Sequence, residues 1–249
     1  VQFRLVQHDL VDSTSERALT ALAAGDARHG DVHIARGQSL GRGRRGRRWH
    51  SAAGEGLYMS VVLLPPPPPI APAALTLAAA LGLLDGLRAL GLERGTLEWP
   101  NDLTVDGAKL GGCLVESRGL DPARPHHVLG IGANIAQRSF PAQLLEERPV
   151  TSLALQGLST AVSDAAAAVL EALPARLAQA GEGSERLTRD FLAASALLGK
   201  LVTVESGAAQ STGVVRELTF ARGLGLECTD GALETLALEH ISRLEILSG

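Results

Sequence analysis

The chain is short of aromatic rings, lysine and cysteine, and each shortage narrows what it can be. Phe, Trp and Tyr make up 3% of its 249 residues, so a core must come from Leu, Val, Ile and Ala. Hydrophobic residues still reach 45% and charged ones 20%, the balance of an ordinary globular protein. That length holds one large domain, or a large one with a small companion. The two cysteines, Cys113 and Cys228, lie in separate apolar runs without metal-ligand spacing, so there is no disulfide framework. They read as buried free thiols in a reducing compartment, which makes the expected location cytoplasmic. No apolar run reaches transmembrane length, and "VQFRLVQHDLVDS" lacks the apolar stretch of a signal peptide, so no membrane partner is expected.

A net charge of −4 gives no general attraction to nucleic acid. The basic residues are nonetheless unusual, because among 23 of them only Lys109 and Lys200 are lysines. Such skew reflects genome composition more than chemistry, yet it makes each lysine worth examining. Six arginines, at 36, 42, 44, 45, 47 and 48, fall within thirteen residues that contain no acid.

Strands are expected over 2–11, 31–38 and 56–64. A helix after Ser13 is marked by a Ser13/Glu16 capping box and a Gly25 stop. Five prolines, 65 to 69, read as an extended spacer before an Ala/Leu-rich helix. Asp106-Gly107 predicts a tight hairpin between "LTV" and "AKLGGCLVES", and "HHVLGIGANIA" reads as a further strand. Two helices fill 159–195, parted near "AGEG". From Leu198 the pattern turns to short alternating runs with frequent turn signals, a small β-barrel of roughly 50 residues.

"QSLGRGRRGRRWHS" spells G-x-G-x-x-G at Gly41, Gly43 and Gly46. A dinucleotide fold requires a helix after those glycines, whereas another strand follows here. A Walker A loop fails as well, for want of Gly-Lys-Ser/Thr. Three readings survive: a nucleic-acid patch in which Trp49 stacks on a base, a solvated surface loop, and a loop that orders over a polyphosphate ligand.

The ordered set "DSTSE", "GQSLGRGRRGRRW", "GLYMSVVL", "EWPNDL", "GAKLGGCLVE" and "GIGANI" resembles the biotin protein ligase family. The resemblance covers about residues 5–140, and the terminal β module is similar to that family's SH3-like domain. It implies an α+β fold: a mixed-sheet catalytic domain of the biotin/lipoate ligase type, related to class II aminoacyl-tRNA synthetases, over 1–196, then a small SH3-like β-barrel over 197–249. It also implies Mg-ATP-dependent conversion of biotin to biotinyl-5′-AMP. Biotin then passes to one lysine of a biotin carboxyl carrier protein domain of a biotin-dependent carboxylase.

The same resemblance assigns roles. Ser13, Thr14, Ser15, Gln38, Gly41, Arg42, Gly43, Arg44, Lys109 and Gly112 fall at biotin-site positions, with Ser15 standing where an asparagine is common. Arg44, Arg45, Arg47, Trp49, Asn101, Lys109 and Asn134 fall at nucleotide-site positions. Lys109 and Arg42 are the expected catalytic cations, no metal ligand is assigned, and Asp102 joins Asn101 in positioning nucleotide or metal. Read without the family, Ser13 is a helix cap, Asn101 and Asp102 are turn formers, Trp49 starts a strand, and Lys109 is a surface hairpin lysine. Adenylation joins two anions, which cations and Mg²⁺ would hold together.

The family pattern begins within about ten residues of Val1, so a monofunctional ligase without DNA binding is expected, as monomer or homodimer. Lipoate–protein ligase, on the same fold, and an Arg/Gly nucleic-acid-binding module are the two rival readings.

Overall fold

A computed structural model describes residues 1–65, 70–117 and 126–247. Most of the proline spacer therefore lies outside the described residues. A seven-stranded mixed sheet runs in the order β1-β2-β3-β7-β6-β5-β4. Its strands are β1 (Arg4–Val11), β2 (Asp31–Gln38), β3 (Gly56–Leu63), β4 (Gly95–Glu98), β5 (Asp102–Val105), β6 (Ala108–Glu116) and β7 (His127–Asn134). Only β1 and β2 pair in parallel, and helix α1 (Thr14–Ala24) carries the crossover between them.

Period-two alternation sorts the central strands into two faces. Leu57, Met59, Val61 and Leu63 of β3, with Leu129, Ile131 and Ala133 of β7, enter the main core. That core is covered by α2 (Pro72–Ala89) and α4 (Val162–Gly181). The two helices touch closely because Gly82 and Gly86 bear no side chain; a Cβ on Gly86 would stand 2.6 Å from Val169 Cα. Val62 and Val128, pointing the other way, pack with Ala18 of α1. Farther along that second face the strands present Tyr58, Ser60, Gly130, Gly132 and Asn134, which line a cleft.

Helix α2 corrects one reading of the sequence. Its 18 residues, with mean hydropathy 1.2, are long and apolar enough to cross a membrane, though two thirds of them are buried inside the protein. The Asp106-Gly107 turn forms as expected, with φ of 50° and 78° at its two residues, the type I′ signature. The Ser13/Glu16 capping box does not form. The Ser13 side chain makes no cap bond, and Glu16 is drawn instead to Arg42 at 2.6 Å. Asp12 accepts from the Ser13 backbone N–H at 2.7 Å.

Helices α3 (Ala142–Glu147) and α5 (Glu185–Ser195) complete the first layer. A five-stranded antiparallel sheet, β11-β10-β9-β8-β12, follows. Its members are β8 (Leu201–Ser206), β9 (Ala209–Thr219), β10 (Gly223–Cys228), β11 (Leu233–Leu236) and β12 (Ile241–Ile246). Val202, Val204, Val215, Leu224 and Leu226 from this sheet join the same core cluster as the large sheet. Cys113 is buried in that core, whereas Cys228 is partly exposed, contrary to expectation, and both thiols are free. Burial pushes the Cys113 thiol well above its ordinary range.

Candidate active site

A cleft of about 930 Å³ opens on the second face of the large sheet and reaches the end of β12, where Ser242 and Arg243 line it. Every residue assigned a binding or catalytic role from the sequence lies on its wall. Residues spread from Ser13 to Asn134 thus converge on one place.

Its floor is made of glycine. A Cβ on Gly112 would meet Asp102 Oδ1 at 2.9 Å, one on Gly130 would meet Ser15 Oγ at 3.0 Å, and one on Gly132 would meet the Trp49 ring at 2.8 Å. Each glycine therefore permits a close approach that alanine would disturb. At one end of the floor, Gln38 Oε1 accepts from the Thr14 backbone N–H (2.8 Å) and Gln38 Nε2 donates to Ser51 Oγ (2.9 Å). The Thr14 and Ser15 hydroxyls both bond the Ser60 hydroxyl, at 2.8 and 3.0 Å. All three side chains are buried, so this end offers fixed polar atoms in a dry wall.

Lys109 stands at the other end, on β6 just past the hairpin. Its Nζ donates to Asp102 Oδ2 at 2.7 Å and lies 5.4 Å from the Trp49 ring centroid. Its side chain is only 20% exposed, so it is no surface hairpin lysine. Burial pushes the ammonium below the ordinary lysine range, and Asp102 opposes that shift. Asn101 donates to the Cys113 carbonyl at 2.8 Å and accepts from Arg44 at 3.0 Å. Asn134 donates to the Thr151 carbonyl at 2.9 Å, so part of its amide is committed to the backbone.

The arginine-glycine loop covers the cleft. Backbone bonds from Trp49 N to Gly41 O (2.9 Å) and from Gly43 N to Arg47 O (2.8 Å) fold it into a small hairpin. Gly41 is fixed there, since a Cβ would lie 2.5 Å from the Trp49 carbonyl. Two of the six arginines find acids elsewhere in the chain. Arg36 pairs with Asp9 at 2.7 Å, and Arg42 bridges Glu16 at 2.6 Å and Glu116 at 3.0 Å. Arg45 donates to the Ser242 carbonyl at 2.5 Å, tying the loop to the small sheet. The acids were missed because they stand on β1, α1 and β6, remote in sequence. Burial lowers the Arg44 pKa, with help from neighbouring Arg45, and raises that of Glu116 against the pull of Arg42.

The biotin/lipoate A/B protein ligase family model matches residues 8–134, a span that contains every assigned site residue from Ser13 to Asn134. The chain belongs to this family. A biotin–[acetyl-CoA-carboxylase] ligase of Mycobacterium tuberculosis is 35% identical over 215 residues, covering 83% of this chain and 76% of the relative. One from Paracoccus denitrificans is 34% identical over 212 residues, covering 82% and 85%. The bifunctional ligase/repressor BirA of Bacillus spizizenii is 36% identical over 142 residues, which span 56% of this chain but 43% of that relative. Among solved structures, the biotin protein ligase of Aquifex aeolicus in complex with biotin and ATP superposes with a TM-score of 0.80 at 26% identity, covering 98% of this chain and 99% of that one.

Sequence reasoning passed over Ser60, Ser51 and Arg148. Ser60 lay inside "GLYMSVVL" but was given no role; its signal was a hydroxyl on the cleft side of an apolar strand. Arg148 bonds Asp102 Oδ2 at 2.7 Å and Glu98 Oε2 at 3.1 Å from a segment with no recognisable pattern.

Proposed function

We propose that the chain activates biotin with ATP to biotinyl-5′-adenylate and pyrophosphate, then transfers the biotinyl group to a lysine of a biotin carboxyl carrier domain. The observation that carries this reading is the glycine-floored cleft with one buried polar end, one cationic end and an arginine cover. Biotin has the same polarity: a ureido ring, an apolar middle and a carboxylate. The reading gives Ser13, Thr14, Ser15, Gln38 and Gly112, with Gly41 and Gly43 of the cover, to biotin. It gives Arg45, Arg47, Trp49, Asn101 and Asn134 to the nucleotide. Arg42, Arg44 and Lys109 meet the anionic junction between them.

In the first step a biotin carboxylate oxygen bonds to the α-phosphorus and the bond to pyrophosphate breaks. Both partners are anions, so positive charge placed in advance lowers the barrier most. Lys109 is suited to this because its ammonium is compact and its backbone is fixed in a sheet. In the second step a carrier lysine amine attacks the acyl carbon and AMP leaves.

Mg²⁺ belongs to this reading as a counter-charge on the phosphates when bound. Among the described residues no group of three His, Cys, Asp or Glu forms a cage. The cleft does carry the carboxylates Glu98, Asp102 and Glu147. Asp102 is committed to Lys109 and Arg148, so Glu98 or Glu147 would hold a Mg²⁺ whose remaining ligands are water and phosphate, the usual arrangement for this ion. The module from residue 197 onward acts as a second wall through β12, and 1–196 holds the reacting groups.

The test is biotin-dependent exchange of labelled pyrophosphate into ATP, followed by labelling of a carrier domain, with lipoate as the competing acid. Exchange with biotin and not lipoate is expected. Exchange driven by lipoate alone, or a salt-sensitive nucleic-acid shift without any exchange, would overturn the reading.

A further inference from the structure

We infer that Arg148 is a positioning residue that frees Lys109 for the reaction by holding Asp102 in its place. The inference rests on the reading of Lys109 as the cation that meets biotin's carboxylate and the α-phosphate.

One carboxylate oxygen serves two cations. Asp102 Oδ2 accepts from Lys109 Nζ and from Arg148 Nη1, each at 2.7 Å, while Oδ1 accepts from Asn101 at 3.1 Å. The Asp102 side chain is 14% exposed, so its charge needs a partner at all times. If Lys109 were its sole partner, moving the ammonium toward an anionic ligand would strand a buried carboxylate beside that ligand. With Arg148 in place the carboxylate stays compensated, and Lys109 can exchange Asp102 for the incoming oxygen at little cost.

The backbone supports this division of labour. Lys109 N donates to the Pro149 carbonyl at 2.9 Å, and Thr151 N donates to the Lys109 carbonyl at 2.8 Å. The residue after Arg148 is therefore fastened to Lys109 itself, which fixes the spacing of the two cations. Arg148 Nη2 is held by Glu98 at 3.1 Å, but its buried Nε has no acceptor.

The charged groups around Lys109 are Asp102 on β5, Glu98 on β4 and Arg148 after α3. Arg44 reaches the same spot through Asn101, and the Cys113 thiol lies beneath. Arg148 repels the ammonium and so helps hold its pKa down.

Because Lys109 and Lys200 are the only lysines, ¹³C-lysine labelling gives two ε-carbon signals that can be titrated individually. In Arg148→Ala and Arg148→Gln the Lys109 signal should titrate at higher pH than in the wild type. Pyrophosphate exchange in the same variants should show a biotin KM raised roughly tenfold, the scale of one charged hydrogen bond, with kcat changed less. Arg148→Lys should recover most of the loss. In an Asp102→Asn background, Arg148→Ala should add nothing to KM. An unmoved Lys109 titration in both variants would overturn the inference, and so would an equal KM loss with and without Asp102. Should the wild type show no biotin-dependent exchange, the functional reading falls, and the titration alone still decides whether Arg148 governs Lys109.

Discussion

The floor and the cover of the cleft solve the same electrostatic problem by opposite means. The floor has one cation, Lys109, on a strand bonded along both edges, surrounded by glycines that let a ligand touch backbone. The cover has five arginines and its own small hairpin, and side chains tie it to the rest: Arg42 to Glu16 and Glu116, Arg44 to Asn101, Arg45 to Ser242. Each of those ties uses a donor that phosphate or carboxylate oxygens can claim instead. A fixed site keeps its geometry without ligand; an exchangeable one takes its final geometry from the ligand.

The comparison breaks most sharply at Lys109. Lys109→Ala should slow adenylation roughly 10²–10³-fold, because the interaction strengthens as charge develops in the transition state. Lys109→Arg should restore only part, since a wide planar guanidinium cannot take the ammonium's place. Single-turnover formation of biotinyl-adenylate measures both. A wild-type rate in Lys109→Ala would move the chemistry from the floor to the cover.

The cover should respond to ligand where the floor does not. Limited proteolysis within residues 39–48 should slow about tenfold when biotin and ATP are both present, as its donors are taken up by the ligand. Equal cleavage with and without ligand would remove the difference between the two regions.

Gly132→Ala probes the contact between them. Its new methyl would stand 2.8 Å from the Trp49 indole, forcing the ring outward. A stability loss of about 1 kcal/mol in chemical denaturation is expected, and it should vanish in a Trp49→Ala background. Equal losses in both backgrounds would place the strain inside the sheet.

The smallest effect is on pH dependence. Lys109 has its pKa lowered by burial, so loss of the ammonium, and of rate, should begin below the ordinary lysine range as pH rises. An arginine cover cannot titrate there. Lys109→Arg should therefore move the alkaline fall in rate upward, about twofold in rate at the wild-type midpoint. An unchanged alkaline limb would show that some other group titrates.

Much of this was legible in the sequence because it rests on local rules. Asp106-Gly107 dictates its turn by φ alone, and the nearly unbroken apolar run "GLYMSVVL" dictates a strand, which is buried throughout. The cleft itself was legible only through the ordered motifs, whose residues meet across the sheet. What escaped depends on distant partners: β4, at four residues, pairs only because β5 lies beside it. Glu16 looked like a cap until Arg42, 26 residues on, claimed it. Arg148 follows a helix with no buried residue, and nothing nearby announces that Asp102 lies within reach.

The clamp around Lys109 also bears on how such a chain can drift over generations. The excursion after β7 is fastened at its start by Leu153 N to the Asn134 carbonyl (3.1 Å) and at its end by the two backbone bonds to Lys109. Between the fasteners lies α3, with no buried residue. Lengthening such a loop costs only a logarithm of its length, so residues gained or lost around α3 leave the register of Lys109 untouched. Residues can be gained or lost there while Lys109, one of the cations that face the anionic junction, stays where it is.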